Sequence, residues 1–190
     1  MRIVDTAIPD VKIVLPVRHG DGRGFFSEVY RRDALAAAGV DIDFVQDNHS
    51  LSAAAGTVRG LHFQTDPAAQ GKLIRVTRGA IFDVAVDIRR GSPTFGRHVA
   101  VTLTAEDWNQ LWIPRGFAHG FCTTRPDTEV IYKVTSYYSP THDKGLLWDD
   151  PALGIPWPVG KEAAMLSDRD RRHPRLSELV DLFADSPKAA

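Results

Sequence analysis

Only one cysteine, Cys122, occurs in 190 residues, so no disulfide can close within the chain and stability has to come from buried apolar surface. No charge of one sign dominates. With 23 Lys+Arg against 24 Asp+Glu the formal net charge is -1, which gives no general basic field for nucleic acid or an anionic membrane surface. A small anion held by a few placed arginines stays open. No apolar run approaches the roughly 18 residues of a membrane span, and the start, MRIVDTAIPDVKIVLPV, has no basic segment leading into an unbroken apolar core. A cytoplasmic protein with no membrane and no nucleic-acid partner is therefore expected. Internal repeats and low-complexity blocks are missing too, and the spread of 43% hydrophobic and 25% charged residues suits one globular domain over residues 1–190.

What is present is β-sequence. From residue 11 to residue 148, short runs rich in Val, Ile, Phe, Thr and Tyr are separated by Gly, Pro, Asp and Ser. Lys12–Leu15, Phe25–Tyr30, Thr57–Gln64, Lys72–Thr77, Ala80–Ile88, His98–Leu103, Gln110–Pro114 and Glu129–Tyr138 all have the length of strands. Lys72–Thr77 and Ala80–Ile88, joined across Arg78-Gly79, are expected to form a tight hairpin. The apolar run Val11–Val17 is expected to be a sheet edge in need of cover. Within Ala80–Ile88, Phe82, Val84, Val86 and Ile88 alternate with Ile81, Asp83, Ala85 and Asp87. One face is then buried, and the partly polar one meets water or lines a cavity.

Helix is expected in Arg32–Ala38, ended by Gly39, and in Ser177–Phe183, with its Ser cap. Asp149–Pro158 carries three prolines and opens a turn-rich C-terminal segment over residues 149–190. About eight strands, with short helices only at the N-terminal side and the C-terminus, imply an all-β jelly roll or small barrel with its core over about residues 11–148. An immunoglobulin-like sandwich would leave the polar, histidine-bearing strands without a reason.

Three stretches are dense in chemistry: Gln46-Asp47-Asn48-His49-Ser50, Arg59-Gly60-Leu61-His62-Phe63-Gln64 and Pro114-Arg115-Gly116-Phe117-Ala118-His119-Gly120. The last resembles the second cupin motif, Pro-x-Gly-x-x-His. A metal-binding cupin takes His-x-His and a carboxylate from its first motif, because such a metal needs several converging ligands. Here that place reads His62-Phe63-Gln64, no Glu lies between Gln64 and Gly79, and Asp66 abuts Pro67. This falls short of the usual three protein ligands of a catalytic site, so no metal and no other cofactor is expected.

Five motifs in order from residue 21 to residue 170 resemble the dTDP-4-dehydrorhamnose 3,5-epimerase family. They are Asp21-x-Arg23-Gly24-Phe25-Phe26, Phe44-Val45 with the Gln46–Ser50 stretch, the Arg59–Gln64 stretch, Leu111-Trp112-Ile113 with the Pro114–Gly120 stretch and Phe121, and Leu166-Ser167-x-Arg169-Asp170. The resemblance implies a metal-independent cupin jelly roll, a homodimer, and an isomerase of the pathway to dTDP-L-rhamnose that takes dTDP-4-dehydro-6-deoxy-D-glucose to dTDP-4-dehydro-L-rhamnose. Alternatives are a related epimerase acting at one carbon, a 3,4-ketoisomerase, a metal-dependent cupin oxygenase and a non-catalytic sugar-nucleotide binder.

Epimerisation beside a ketone needs a base for the α-proton, a donor for the enolate oxygen and an acid on the opposite face. By the resemblance His62 is the base, Asp170 the carboxylate that orients it, Tyr132 the acid and Lys72 the donor to the enolate. An imidazole titrates near neutral pH, which suits the first task, and a carboxylate on one ring nitrogen fixes its tautomer. Asp168 lies close to Asp170, and motif register selects Asp170. The same resemblance makes Arg23, Glu28, Gln46, Asn48, Arg59, His119, Tyr138, Asp143 and Arg169 substrate-binding, with Asp143 and Arg169 standing where the family often has Glu and Lys. Arg59 and His62 fall on opposite faces of an ideal strand, so a shared site needs a bulge or a subunit contact between them.

Overall fold

The computed structural model describes residues 1–180 and residue 183. Among them run the strands β1 (Arg2–Asp5), β2 (Lys12–Leu15), β3 (Arg18–Asp21), β4 (Gly24–Ser27), β5 (Gln46–Ser52), β6 (Val58–Gln64), β7 (Lys72–Arg78), β8 (Ala80–Asp87), β9 (His98–Thr104), β10 (Gln110–Ile113), β11 (Phe117–Thr123), β12 (Thr128–Val134) and β13 (Asp143–Gly145), with one short helix, α1 (Arg32–Ala37). Two antiparallel sheets face each other. One has the order β1-β2-β10-β7-β12-β5 and the other β13-β6-β11-β8-β9, while β3 and β4 form a separate ribbon. This is the all-β jelly roll expected. No helix among the described residues is long and apolar enough to cross a membrane.

The inward-facing residues of both sheets meet in one core: Ile74 and Val76 of β7, Ile81 and Ala85 of β8, Leu111 and Ile113 of β10, Phe117 and Phe121 of β11 and Val130 of β12. The opposite face of β8, carrying Val84 and Val86, is buried as well, together with Ile88 just past its end, under Leu153, Leu179 and Phe183 of the C-terminal segment. The first sheet is backed by Leu35 of α1 and by Val40, packed on Leu73 and Trp112. With both faces of the second sheet covered, its strands need not alternate apolar with polar residues, and every residue of β11 is buried.

Several expectations are corrected. Lys72–Thr77 and Ala80–Ile88 do not pair as a hairpin: β7 lies between β10 and β12, and β8 lies between β11 and β9 in the other sheet. Gly79, at φ 77°, turns the chain from one sheet to the other, against Thr128, whose Oγ1 stands 2.3 Å from where a Cβ would be. Val11–Val17 is not an edge, because β2 sits between β1 and β10. The strand expected at Phe25–Tyr30 ends at Ser27 and that at Glu129–Tyr138 ends at Val134. Beyond Val134, side-chain bonds replace the ladder, with Ser136 Oγ donating to Ala69 O at 3.0 Å and Tyr138 N to Gln46 Oε1 at 3.1 Å.

The helix expected at Ser177–Phe183 is a 3-10 turn over Leu176–Glu178, after which Leu179 is extended. Residues 181 and 182 lie outside the described residues. Burial decides this: Leu179 and Phe183 are drawn into the core over the second sheet, and Phe183 O accepts from Arg90 N at 3.0 Å.

Candidate active site

Between the sheets, beside the apolar core, a cavity of about 510 Å³ is lined by Arg59 and His62 of β6, Lys72 of β7, His119 and Phe121 of β11, Tyr132 of β12, Ser50 of β5, and Arg169 and Asp170 of the C-terminal segment. That volume is typical of a small-molecule site. A second cavity of about 290 Å³ shares His62, Lys72, Tyr132 and Arg169 with it and adds Gln46, Asn48, Tyr138 and Asp143. The two sheets thus contribute opposing walls.

The position of each side chain follows from strand period and register. β5 alternates between half-buried and exposed positions, so Gln46, Asn48 and Ser50 turn inward while Asp47, His49 and Leu51 face out. Asn48 is directly opposite Tyr132 across the β5–β12 ladder. On the facing sheet His62 is opposite His119, whereas Phe121, two residues on, is opposite Arg59, three residues back. That mismatch is a bulge at Gly60-Leu61, and it brings Arg59 and His62 to one cavity within a single subunit. Gly60, at φ 125°, is needed there, because a Cβ would stand 2.5 Å from Gly120 Cα.

His62 Nε2–H donates to Asp170 Oδ1 at 2.7 Å. Asp170 is buried at the start of a 3-10 turn, Asp170–Arg172, with its own N–H donating to Ser167 Oγ at 3.1 Å. Burial by itself would raise the Asp170 pKa, but contacts from His173 and His62 outweigh it and hold the carboxyl below the usual range. Asp168 is exposed, and its carbonyl accepts from Arg172 Nε at 2.9 Å. Beside this pair stands a second one, His119 Nε2–H to Asp83 Oδ1 at 2.7 Å. Burial lowers the His119 pKa, with the Asp83 charge acting against it.

Lys72 is buried, its Nζ 3.4 Å from the His62 carbonyl. Burial pushes its pKa down to about 8, against the pull of Asp143 and Asp83. Burial likewise raises the Tyr132 pKa, so its phenol keeps the proton at neutral pH. Arg59 donates to Ser52 Oγ and Leu51 O, both at 3.2 Å. Asp143 Oδ2 accepts from Arg169 at 2.7 Å and from the Tyr138 hydroxyl at 3.0 Å. The lone thiol, Cys122, is buried and pushed up to about 11, which leaves it little nucleophilic character.

Of the residues expected at the site, Arg23 and Glu28 are not brought to either cavity of this chain. Arg23 lies in the exposed β3–β4 turn, paired with Asp21, and Glu28 pairs with Arg31 at 3.4 Å. Three residues of the site were not singled out from the sequence as its members: Ser50, Asp83 and His173. The polar positions of Ala80–Ile88 were the available signal for Asp83. His173 carries none. Its Nε2 is 3.3 Å from Asp170 Oδ1, and with His62 and Asp170 it forms the only cluster of metal-ligating type found among the described residues, with ligand atoms within 4.8 Å of one another. Within it His62 and Asp170 are hydrogen-bonded, with the second imidazole beside them.

Known proteins resemble the chain over most of its length. A dTDP-4-dehydrorhamnose 3,5-epimerase from Sinorhizobium fredii is 56% identical over 177 residues, covering 93% of this chain and 90% of that protein. The crystal structure of a dTDP-4-dehydrorhamnose 3,5-epimerase from Bacillus anthracis, with TDP and PPi bound, superposes with a TM-score of 0.88 at 52% identity, covering 92% of this chain and 98% of that one. A Legionella pneumophila dTDP-6-deoxy-D-glucose-3,5-epimerase, in complex with dTDP-4-keto-L-rhamnose, gives a TM-score of 0.93 at 42% identity, covering 98% of this chain and 99% of that one. The family model for dTDP-4-dehydrorhamnose 3,5-epimerase matches residues 5–178, and the chain belongs to that family.

Proposed function

We propose that the protein inverts C3 and C5 of dTDP-4-dehydro-6-deoxy-D-glucose to give dTDP-4-dehydro-L-rhamnose, through enolates at the C4 ketone. The observation that carries this reading is one cavity holding His62, backed by Asp170 at 2.7 Å, on one sheet and Tyr132 on the other. With Nε2 donating to Asp170, Nδ1 of His62 is the free lone pair that takes the α-proton, and the carboxylate stabilises the imidazolium that forms. The electron pair moves to the C4 oxygen, where the Lys72 ammonium neutralises it. Tyr132 then returns a proton from the opposite face; the imidazolium gives its proton to solvent, the phenolate takes one back, and the reset groups act at the second carbon. No step calls for a metal or another cofactor.

Arg59 and Arg169 supply positive charge for the diphosphate, and Gln46, Asn48, His119, Tyr138 and Asp143 supply hydrogen-bonding edges. Arg23 and Glu28 join them only if a second subunit brings its β3–β4 ribbon to the cavity, so this reading includes a homodimer. Cytoplasmic action on a nucleotide sugar belongs to the same reading.

The test is NMR of the substrate in heavy water. The parent protein is expected to place deuterium at both C3 and C5, and His62→Ala to lose both exchanges by roughly 100- to 10,000-fold. Tyr132→Phe keeps the ring, so exchange should outlast net inversion at one carbon at least. Deuterium at one carbon only in the parent would make the protein a single-centre epimerase. Undiminished exchange and inversion in His62→Ala would place the base elsewhere.

A further inference from the structure

The His62–Asp170 pair has a third member. The His173 side chain is only 9% exposed, and its Nε2 lies 3.3 Å from Asp170 Oδ1, the oxygen that His62 Nε2 reaches at 2.7 Å. The His173 contact is off the line of a hydrogen bond, so among the described residues its buried Nε2 has Asp170 as an ion-pair neighbour and no hydrogen-bond partner. The two imidazole rings stand edge to face, 5.6 Å apart at 83°. The chain makes room for this ring: Gly145 is opposite His62 across the β13–β6 ladder, and a Cβ on Gly145 would fall 2.2 Å from His173 ring atoms. Next to it, Pro174 O accepts from Leu147 N at 2.8 Å and pins the segment. His173 does not line the cavity that holds His62 and Tyr132; it lines an outer groove with Asp143, Lys144, Arg169 and Arg172.

We propose that His173 is a positioning residue: its Nε2–H shares Asp170 Oδ1 with His62, holds the carboxylate in place and divides its charge between two imidazoles. The proposal rests on the reading of His62 as the base. A carboxylate that gives all of its charge to His62 stabilises the imidazolium more, and the base then loses its free lone pair at higher pH. A second donor on the same oxygen weakens that pull. The lowered pKa of Asp170, to which His173 and His62 both contribute, accords with this sharing. The other ionisable groups around the pair are Arg59 on β6, Lys72 on β7, Asp83 with His119 on β8 and β11, and Tyr132 on β12. Among the described residues, Asp143 on β13 and Arg169, Arg172 and Lys144 by the groove join them, and all of them remain in the variants below.

The experiment is the pH profile of kcat/KM and of kcat for the parent, His173→Leu and His173→Gln. The Leu variant fills the slot without a donor, and its acidic limb is expected to move up by roughly one pH unit, with KM within about twofold of the parent and the loss in kcat. Gln returns an N–H near the Nε2 position and should bring the limb back. Gly145→Ala, which displaces the ring without changing its chemistry, should shift the limb as Leu does. A readout on the unaltered protein is 15N NMR of backbone-assigned histidines, in which His173 Nε2 should carry a proton at neutral pH. An acidic limb unmoved in His173→Leu, Gln behaving as Leu does, or a bare Nε2 on His173 would overturn the proposal while leaving the base assignment standing. The base assignment falls separately, on unimpaired exchange in His62→Ala.

Discussion

Lys72, the proposed donor to the enolate, would set activity against stability. Its ammonium lies within the sandwich, 8% exposed, and burial takes its pKa from 10.5 to about 8. Between those two values the unfolded chain binds more protons than the folded one, so stability rises with pH across that window, and below about pH 8 the full cost of the buried charge is present. Lys72→Met removes that charge and keeps the stem. It is expected to stabilise the fold at pH 7 by roughly 1–3 kcal/mol while cutting turnover at least 100-fold, a pair of outcomes that denaturant unfolding and initial rates would check. The same shift predicts that kcat/KM of the parent falls above about pH 8, as the ammonium loses its proton. A profile flat from pH 7 to pH 10 would remove Lys72 from the enolate.

At the scale of elements, β6 decides the site. A regular strand would turn Arg59 and His62 to opposite faces; the bulge opposite Gly120 gives them one cavity. It depends on Gly60, at φ 125°, with backbone atoms of His119 and Gly120 within 2.8 Å of a would-be Cβ. Those neighbours are main chain and cannot swing aside. Gly60→Ala is therefore expected to cost about 2–4 kcal/mol and, where the fold survives, to lower kcat by 10-fold or more through displacement of His62. Thermal unfolding and kinetics on the same sample would show both effects. Unchanged stability and rate would mean that β6 tolerates another path.

At the scale of the whole molecule, the turn-rich C-terminal segment belongs to the working unit, because it supplies Asp170 and covers the second sheet with Leu153, Leu179 and Phe183. The β3–β4 ribbon presents apolar surface: Phe25 and Phe26 are 55% and 67% exposed, beside Arg23. If two chains dock through it, Phe26→Glu should give a monomer in sedimentation at micromolar concentration, with KM raised and residual turnover low. A monomeric parent that is fully active would reject the homodimer. Metal dependence is tested on the whole enzyme as well. Activity is expected to survive exhaustive EDTA treatment, and loss reversed by one added metal would turn the His62–Asp170–His173 cluster into a metal centre.

By itself the sequence determined the all-β class and the family. Both rest on local patterns: β-branched runs of strand length, and ordered motifs such as Arg59–Gln64 and Pro114–Gly120. β5 and β11 stayed hidden as strands for opposite reasons. The inner face of β5 is polar because it lines a cavity, and β11 is buried on both sides, so neither shows the alternation of a half-buried strand. Tertiary structure alone decided the rest. Which sheet takes β7 and which takes β8 depends on a corner at Gly79 packed against Thr128, a contact between residues far apart in the chain. Whether Arg59 joins His62 depends on one extra residue in β6, which only pairing with β11 reveals. His173 belongs beside Asp170 because Gly145, on another strand, leaves a ring-sized gap. Such facts come from long-range packing, and no periodicity or motif encodes them.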